Sequence, residues 1–351
     1  MLYLSKEGEI INTESGNEYY KKALKILDDW NSGSTKFEIK TSGSTGIPKK
    51  IILQRSEIEA SISLTKNAFD LYGDNLFYCC LNIESIAGMM MLFRSQRLHG
   101  ELLVVEPSSA PFSKLGHLDY LLNENRGRNF FAFVPLQLQT ILEDEKSIQV
   151  LKTARAILVG GAAVNTKLKA KIVEHYLPVY ETYGMTETVS HVAIKNLRLE
   201  EEYFKTLDGV EIKTNDNACL MINSPTTSEQ WISTNDVIEI TDSQHFKLIG
   251  RFDNIINSGG IKIQLEEIER KISDKLQIEN RFFCFGIPDE KLGQKLVLVV
   301  ESKEKDVSTE RLSTILSKFE VPKEIFYVEK FSETDSSKID KRKTIDEILN
   351  S

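Results

Sequence analysis

Hydrophobic and polar positions alternate in two different ways along this chain. Over about the first 200 residues, the pattern alternates between helical periodicity and short apolar runs that are typical of buried strands. The helical segment is residues 56–71, and the apolar runs are residues 76–81, 102–105, 130–134 and 156–159. Because strands separated by helices usually form parallel sheets, this pattern predicts an α/β domain with a helix-flanked sheet.

The pattern changes between residues 209 and 250. Short alternating runs are separated there by the turn-forming residues Asn, Asp, Ser and Pro, which predicts antiparallel hairpins. The large domain is therefore expected to combine helix-flanked sheets with hairpins. The alternating runs are residues 210–213, 219–223, 237–240 and 246–249.

A compact α+β pattern follows Gly250. About 100 residues with their own apolar periodicity can form a separate small domain, so we expect domains at residues 1–250 and 251–351. In the first helix of the small domain, Leu265, Ile268 and Ile272 have the spacing of a core-facing stripe. The predicted elements are helices at residues 265–276 and 309–319, strands at residues 281–285, 296–300 and 324–328, and a terminal helix.

Composition excludes several classes of protein. The chain has 351 residues, 41% of them hydrophobic, and 44 basic against 52 acidic residues give a net charge of −8. These values exclude disorder and disfavour a dedicated nucleic-acid binder. The longest apolar stretches, residues 86–93 and 156–164, are far shorter than the ~20 residues of a membrane span. Charged Lys6, Glu7 and Glu9 stand where a signal peptide would be apolar, so we expect a cytoplasmic protein.

The 4 cysteines and 5 histidines do not indicate a metal centre. The cysteines include no C-x-x-C, and the histidines include no pair at metal-ligand spacing. We therefore expect neither a zinc site nor a disulfide framework.

The strongest chemical signal is the run TSGSTGIPKK at residues 41–50. Glycines allow the backbone to approach an anion closely, while hydroxyls, N–H groups and lysines stabilise phosphate oxygens. The run is not a Walker A loop, because its second glycine is not followed by Lys-Ser or Lys-Thr. Taken alone, it could equally be a mobile polar surface loop. The candidate phosphate ligands are Thr41, Ser42, Gly43, Ser44, Thr45, Gly46 and Lys49.

A second signal is the run YGMTET at residues 183–188, which follows a buried-strand pattern. The hydroxyl of Thr186 can bind an α-phosphate while the carboxylate of Glu187 holds a magnesium ion. A turn or a helix cap is the alternative interpretation of these residues.

Four further motifs follow in order, at residues 234–236, 250–253, 259–262 and 334–340. The ordered set of six motifs resembles the adenylate-forming superfamily of acyl-CoA synthetases, carrier-protein adenylation domains and luciferases. The resemblance implies a large α/β domain, a small mobile α+β domain that carries a catalytic lysine, and ATP, Mg²⁺ and coenzyme A as ligands. It also implies an adenosine site, with Asp236 and Arg251 at the ribose. The residues implied around the adenine are Gly160, Gly161 and Ala162, with Glu181 to Tyr183 flanking the base, and Gly184 is a further implied cofactor-binding residue.

The same resemblance implies roles in the small domain. Lys338 matches the catalytic lysine, Asp253 the interdomain hinge and Gly260 the tunnel for the thiol. One more solvated lysine is the alternative for Lys338. Ser85 stands where many relatives place a histidine near the acyl group. Only forty residues precede the phosphate loop, so the resemblance implies that part of the large-domain sheet is missing or reduced.

Within the superfamily, the chain resembles the short o-succinylbenzoate-CoA ligases of menaquinone synthesis. It shares their Gly…Arg-Ser segment, here residues 88–95, and Arg94 could pair with a second carboxylate of the substrate. A surface arginine on an amphipathic helix is the alternative. The implied reaction forms an acyl-adenylate from ATP and an acid, and then a coenzyme A thioester.

Three other functions remain open at this point. The chain could be a synthetase for another aryl or fatty acid, an adenylation enzyme for a carrier protein, or a non-catalytic nucleotide-binding protein. A binding protein would have no need for Lys338, which favours an enzyme.

Overall fold

The computed structural model describes residues 1–41, 49–114, 120–276, 281–304, 307–333 and 339–350. Contacts divide the chain into two compact units. Unit 1 comprises Met1–Lys213, Met221–Ile232 and Ile240–Lys247, and unit 2 comprises Thr214–Leu220, Ser233–Glu239 and Leu248–Ser351. The two units interleave along residues 214–247, whereas a single boundary at Gly250 was expected. The predicted mobility of a small domain stays a prediction.

The strands of unit 1 alternate with helices along the chain. Up to residue 206 they are β1 (Leu2–Leu4), β2 (Ile10–Asn12), β3 (Lys36–Thr41), β4 (Lys49–Gln54), β5 (Leu76–Cys79), β6 (Glu101–Val104), β7 (Asn129–Phe133), β8 (Ala156–Val159), β9 (Val179–Met185), β10 (Ser190–Asn196) and β11 (Phe204–Thr206). The helices are α1 (Glu18–Asn31), α2 (Arg55–Phe69), α3 (Ile86–Arg97), α4 (Tyr120–Glu124), α5 (Pro135–Ile141), α6 (Glu145–Lys152) and α7 (Thr166–Glu174).

The centre of the main sheet is parallel, as the sequence predicts. Strands β6, β5, β7, β8 and β9 are neighbours in that order and all run in the same direction. Antiparallel strands extend both sides, with β1 and β2 beyond β6 and with β10 and β11 beyond β9. Strands β3 and β4 form a separate hairpin. The polar residues that follow β8 and β9 therefore lie at the same edge of the sheet.

Helices α1 and α2 each have a recognisable cap at one end. In α1, the side chain of Asn17 accepts a hydrogen bond from the Tyr19 N–H at 2.8 Å. Tyr20, Ala23 and Leu27 of this helix are buried at helical spacing, as an amphipathic helix requires. Helix α2 ends at Asp70 in the left-handed conformation.

The hairpin region contributes to both units. Its strands are β12 (Glu211–Thr214), β13 (Cys219–Asn223), β14 (Ile232–Ile240) and β15 (His245–Arg251). The prediction of strands here is confirmed, although β14 begins five residues before the predicted run 237–240. Thr234 and Asp236, which precede the apolar part of β14, lie in the strand as well.

Unit 2 has its own sheet and core. Its elements are β16 (Ile255–Ser258), β17 (Ile261–Gln264), α8 (Leu265–Leu276), β18 (Phe282–Asp289), β19 (Gly293–Glu301), α9 (Thr309–Ser313), β20 (Glu324–Val328) and α10 (Lys341–Leu349). The strands pair in the order β17-β16-β19-β18, and β20 runs parallel to β19. Leu265, Ile268 and Ile272 are buried in the core, which confirms the predicted stripe.

The predicted helix at residues 309–319 is wrong in its length, because α9 ends at Ser313. The hydroxyls of Ser313 and Thr314 donate to the carbonyls of Thr309 and Arg311. The N–H of Ser317 donates to the carboxylate of Glu320 at 2.9 Å, in place of the bond to the Ser313 carbonyl that a continuing α-helix would form. Leu312 and Leu316 are nevertheless buried, so the apolar spacing reports burial correctly but not the end of the helix.

Among the described residues, none of the helices combines the length and the apolar character that crossing a membrane requires.

Candidate active site

The phosphate loop itself lies outside the described residues, from Ser42 to residue 48, and includes the predicted ligands Gly43, Ser44, Thr45 and Gly46. Its two ends are strands. Thr41 at the end of β3 pairs with Lys49 at the start of β4 in an antiparallel register. The strands on either side of this segment are therefore antiparallel neighbours.

The second motif is a tight turn between two antiparallel strands. Residues Thr186–Thr188 form a 3₁₀ turn between β9 and β10. The buried hydroxyl of Thr188 accepts a hydrogen bond from the Met185 N–H at 3.0 Å and contacts the Ser190 carbonyl oxygen at 2.8 Å. Thr188 thus stabilises the turn, which leaves half-buried Thr186 and exposed Glu187 for chemistry.

Glycines permit close backbone packing around this turn. A Cβ atom at Gly184 would collide with the backbone of Ser190 and His191, so a side chain at position 184 would push β9 and β10 apart. A Cβ atom at Gly160 would collide with the hydroxyl of Thr182. Gly161 has a φ of +82°, which side chains rarely adopt.

The residues predicted at the adenine lie at one edge of the sheet in unit 1. Gly160, Gly161 and Ala162 directly follow β8, and Val159 of β8 pairs with Glu181 of β9. On the other side of β9, the ring of Tyr183 packs edge-on against Phe246, with centroids 5.3 Å apart.

A nearly buried ion pair lies beside these residues. Lys195 Nζ is 2.8 Å from Glu181 Oε2, with only 11% and 13% of the two side chains exposed. The ammonium also lies 4.4 Å from the centroid of the Phe204 ring, an arrangement that stabilises a cation.

Arg94 is the most unusual residue of unit 1. It is only 1% exposed, so the alternative of a surface arginine is wrong. Its Nη2 lies 3.4 Å from Ser190 Oγ and its Nη1 3.9 Å from Met91 Sδ, while its Nε has no hydrogen-bond partner among the described residues. Burial lowers the pKa of Arg94 to about 9, which still leaves the guanidinium charged at neutral pH.

A buried histidine accompanies this arginine. His191, which is 4% exposed, lies with Nδ1 3.5 Å from Ser190 Oγ and with Nε2 3.3 Å from Thr65 Oγ1. Burial, and secondarily the charge of Arg94, hold the pKa of His191 well below its usual range. His191 is therefore neutral at physiological pH.

Ser85 begins the helix that carries Arg94. It is the residue before the first turn of α3, and its hydroxyl donates to the Asn82 carbonyl at 2.6 Å. This bond gives Ser85 a structural role in the turn, and its predicted role at the acyl group stays a prediction.

In unit 2, the residues predicted at the ribose lie together. Arg251 Nη1 is 3.7 Å from Asp236 Oδ1, and Arg251 also binds Asp253 through Nε at 2.9 Å and Nη2 at 3.0 Å. The Arg251 guanidinium holds the pKa of Asp253 below its usual value through this bidentate hydrogen bond. The proposed hinge residue is thus an ion-pair partner of the proposed ribose ligand.

Gly259 and Gly260 form the two-residue turn between β16 and β17. Both have positive φ, +61° and +83°, as the tightest hairpin turns require. A Cβ at Gly260 would meet no atom within 4 Å, so backbone conformation rather than space favours glycine there. The predicted catalytic Lys338 lies outside the described residues, between the paired residues Glu333 and Ile339.

Sequence reasoning missed Ser190, His191 and Thr65. Metal-ligand spacing does not distinguish His191 from the other four histidines. The signal that could have found His191 is its position, three residues after Thr188 in an otherwise apolar strand pattern.

A comparison with known protein families finds a match to more than half of the chain. Residues 17–220 match the family described as AMP-binding enzyme, and this range contains the phosphate loop, the Thr186 turn and Arg94. This chain belongs to the AMP-binding enzyme family. The adenylate-forming resemblance inferred from the six motifs is thereby confirmed.

Curated relatives of this AMP-binding enzyme are ligases. The 2-succinylbenzoate–CoA ligase of Staphylococcus epidermidis ATCC 12228 is 25% identical over 377 residues, which cover 97% of this chain and 77% of the relative. The enzyme of the same name from Bacillus cereus ATCC 10987 is 24% identical over 359 residues, covering 92% and 72%.

Solved structures share the fold. The acyl-CoA synthetase (AMP-forming)/AMP-acid ligase II-like protein of Dyadobacter fermentans is 40% identical, covers 99% of this chain and 100% of its own, and has a TM-score of 0.65. The o-succinylbenzoate coenzyme A synthetase MenE of Bacillus subtilis, in complex with ATP and magnesium, is 19% identical, with coverages of 88% and 69% and a TM-score of 0.74. The predicted α/β fold class is confirmed.

Proposed function

We propose that this chain is an ATP-dependent, AMP-forming acid–CoA ligase whose acid is a dicarboxylate of the o-succinylbenzoate type, which places it in menaquinone biosynthesis. The observation that carries the substrate class is Arg94, a buried cation with no carboxylate partner among the described residues. An uncompensated buried charge is costly, so its retention favours a ligand that supplies the anion. The names of the curated relatives support the same substrate.

The reaction has two steps. One carboxylate of the acid attacks the α-phosphorus of ATP, and the bond to pyrophosphate breaks as the acyl-adenylate forms. The thiolate of coenzyme A then attacks the acyl carbon, and AMP leaves. In both steps the second carboxylate of the acid would remain bound to Arg94, which fixes the reacting carboxylate in position.

The chain's own residues fit ATP and magnesium. Glu187 is exposed, and among the described residues none forms an ion pair with it, so its hard oxygens suit Mg²⁺. When bound, the metal would neutralise charge on the phosphate oxygens. Thr186 would donate its hydroxyl to the α-phosphate. Asp236 would accept hydrogen bonds from the ribose hydroxyls, with Arg251 beside it.

We propose that Lys338 acts in the first step and that Asp253 permits the rotation before the second. The Lys338 ammonium would stabilise charge that develops during adenylation. Rotation about Asp253 would then remove the lysine and bring Gly260 to the thiol tunnel.

The test measures each step with a panel of acids. Wild-type protein should exchange labelled pyrophosphate into ATP with o-succinylbenzoate, and much less with benzoate or a medium-chain acid, and should then form the coenzyme A thioester. Arg94→Ala should raise the KM for o-succinylbenzoate at least ten-fold, since losing such a partner costs roughly 2–5 kcal/mol. The KM for ATP should barely change.

Arg97→Ala is the matched control, because Arg97 lies on the same helix and is exposed. Preference for a monocarboxylate, or an unchanged KM in Arg94→Ala, would contradict the substrate. Absence of pyrophosphate exchange with every acid would contradict the proposed ligase activity and favour a non-catalytic nucleotide-binding protein. Transfer to a carrier protein but not to coenzyme A would reassign the acceptor.

A further inference from the structure

The donor and the acceptor of each hydrogen bond around His191 can be assigned. The Thr65 hydroxyl contacts the Ser61 carbonyl oxygen at 2.9 Å, and a carbonyl can only accept, so Thr65 donates its single proton there. Its oxygen must therefore accept from His191 Nε2. Because His191 is neutral, its proton lies on Nε2 and its Nδ1 is an acceptor.

The direction continues from His191 to Arg94. Since Nδ1 accepts, the Ser190 hydroxyl donates its proton to it. The Ser190 oxygen is then left to accept from Arg94 Nη2, which can only donate. The resulting chain of donors, which we call the arginine chain, runs from Arg94 through Ser190, His191 and Thr65 to the Ser61 carbonyl.

We infer that His191, fixed as the neutral Nε2–H tautomer by Thr65, is a positioning residue that orients Ser190 and thereby holds the Arg94 guanidinium in place for a substrate carboxylate. The last part of this inference rests on the proposed function. A neutral histidine suits this role because it orients the arginine without adding a negative charge. A carboxylate at position 191 would neutralise the cation, and an imidazolium would repel it.

The arginine chain also connects three elements from early and late in the sequence. Thr65 lies on α2, Arg94 on α3 and Ser190 on β10. The ring of Phe69 packs edge-on against His191, with centroids 6.4 Å apart, and limits the rotation of the imidazole. The orientation of the guanidinium thus depends on residues that do not touch it.

The first experiment is spectroscopic and needs no substrate. In ¹⁵N-labelled full-length protein, the imidazole signals of His191, assigned by their loss in His191→Gln, should show the neutral Nε2–H tautomer unchanged between pH 8 and pH 6. The Arg94 Nε–H signal, assigned with Arg94→Lys, should exchange with water at least ten-fold faster in Thr65→Val and in Ser190→Ala. An Nδ1–H tautomer, an imidazolium at pH 6, or unchanged exchange would overturn the inference.

The second experiment is kinetic. Thr65→Val and Ser190→Ala should raise the KM for o-succinylbenzoate about five-fold or more, with kcat and the KM for ATP within two-fold of wild type, and Ser190→Thr should restore it. Ser63→Ala, which removes an exposed hydroxyl on the same helix, is the control. Equal losses of kcat and ATP affinity would indicate a merely structural role and contradict positioning. A wild-type enzyme that rejects dicarboxylates would contradict the proposed function alone, since the spectra judge the arginine chain separately.

Discussion

Arg94 in unit 1 and Arg251 in unit 2 present opposite solutions to placing a guanidinium in a protein. Arg94 is 1% exposed and has a hydroxyl, a thioether and no carboxylate around it among the described residues. The Arg251 side chain is 44% exposed and has two carboxylates, Asp253 at 2.9 Å and Asp236 at 3.7 Å. Burial lowers the pKa of Arg94, whereas hydrogen bonding to Asp253 raises that of Arg251.

The difference supports the proposal that Arg94 keeps its charge for a ligand. The charge of Arg251 is compensated by its own chain, so it can organise neighbouring carboxylates without destabilising the fold. Among the described residues no carboxylate compensates the charge of Arg94, and the free energy that this costs is the kind of strain that proteins retain at functional sites. Four experiments test this contrast.

The largest effect is expected at Glu187, an exposed carboxylate of unit 1 that forms no ion pair among the described residues. If charges without a protein partner serve ligands, Glu187→Gln should lower pyrophosphate exchange about 100–1000-fold, because it removes a metal ligand but preserves shape. The measurement is exchange at saturating ATP and acid, with circular dichroism to verify folding. Glu84→Gln, at an exposed carboxylate paired with Lys22, should have no effect. Unchanged exchange in folded Glu187→Gln would show that a charge without a protein partner need not serve a ligand.

Replacing Arg94 should stabilise the protein while it impairs the enzyme. Arg94→Met exchanges a buried cation, which has no carboxylate partner among the residues that the structure describes, for an apolar side chain of similar length. The free energy of unfolding should therefore rise by about 1–4 kcal/mol. Urea denaturation followed by circular dichroism measures this change. A large loss of stability would mean that the chain itself compensates the charge of Arg94, and the contrast with Arg251 would fail.

The pH dependence of stability should depend on His191. Its pKa is lower in the folded protein than the value of about 6.5 in the unfolded chain, so protons bind preferentially to the unfolded state as the pH falls below 6.5. The stabilisation is complete above that pH and decreases by up to ~1.4 kcal/mol per pH unit below it. His191→Gln should flatten the profile between pH 6.5 and pH 5. An identical slope in both proteins would indicate that His191 is protonated in the folded state.

The smallest effect is expected in unit 2. Asp253→Asn breaks an exposed ion pair and should change the free energy of unfolding by less than about 1 kcal/mol at neutral pH. Because the pKa of Asp253 is lowered by Arg251, this contribution is present above the unfolded pKa of about 3.9 and is lost as the pH falls below it. A double-mutant cycle with Arg251→Met measures the pair. A coupling of several kcal/mol would show that the pair acts as a buried one.

The sequence predicted the parts of the fold that depend on local pattern. Helix α8 has the predicted bounds, because its buried residues recur at regular helical spacing. The parallel centre of the sheet follows from the alternation of helices and strands. Helix α9 is shorter than predicted, because the N–H of Ser317 binds the side chain of Glu320, a contact that apolar spacing does not reveal.

The candidate site was predictable only as far as it is continuous in sequence. Six adjacent residues allowed a turn at Thr186 as one of two interpretations, and the structure has that turn, whereas the predicted binding of phosphate and magnesium stays a prediction. The burial of Arg94 was not, because its surroundings come from α2 and β10, and the contact with Ser190 joins residues 96 positions apart. A helix pattern shows which residues share a face, but not what packs against that face.

The pairing of β1 with β6 delays the completion of the sheet while the protein is being synthesised. Leu2 lies opposite Val104 in the sheet, so it meets its partner only after about a hundred further residues have been synthesised. At 5–20 residues per second, this takes roughly 5–20 s on the ribosome. Until then β2 is the neighbour that Leu2–Leu4 can pair with, and the edge of β1 that later meets β6 is available to chaperones and proteases. Synonymous codons or mild substitutions in this segment should therefore change the yield of protein rather than its catalytic constants.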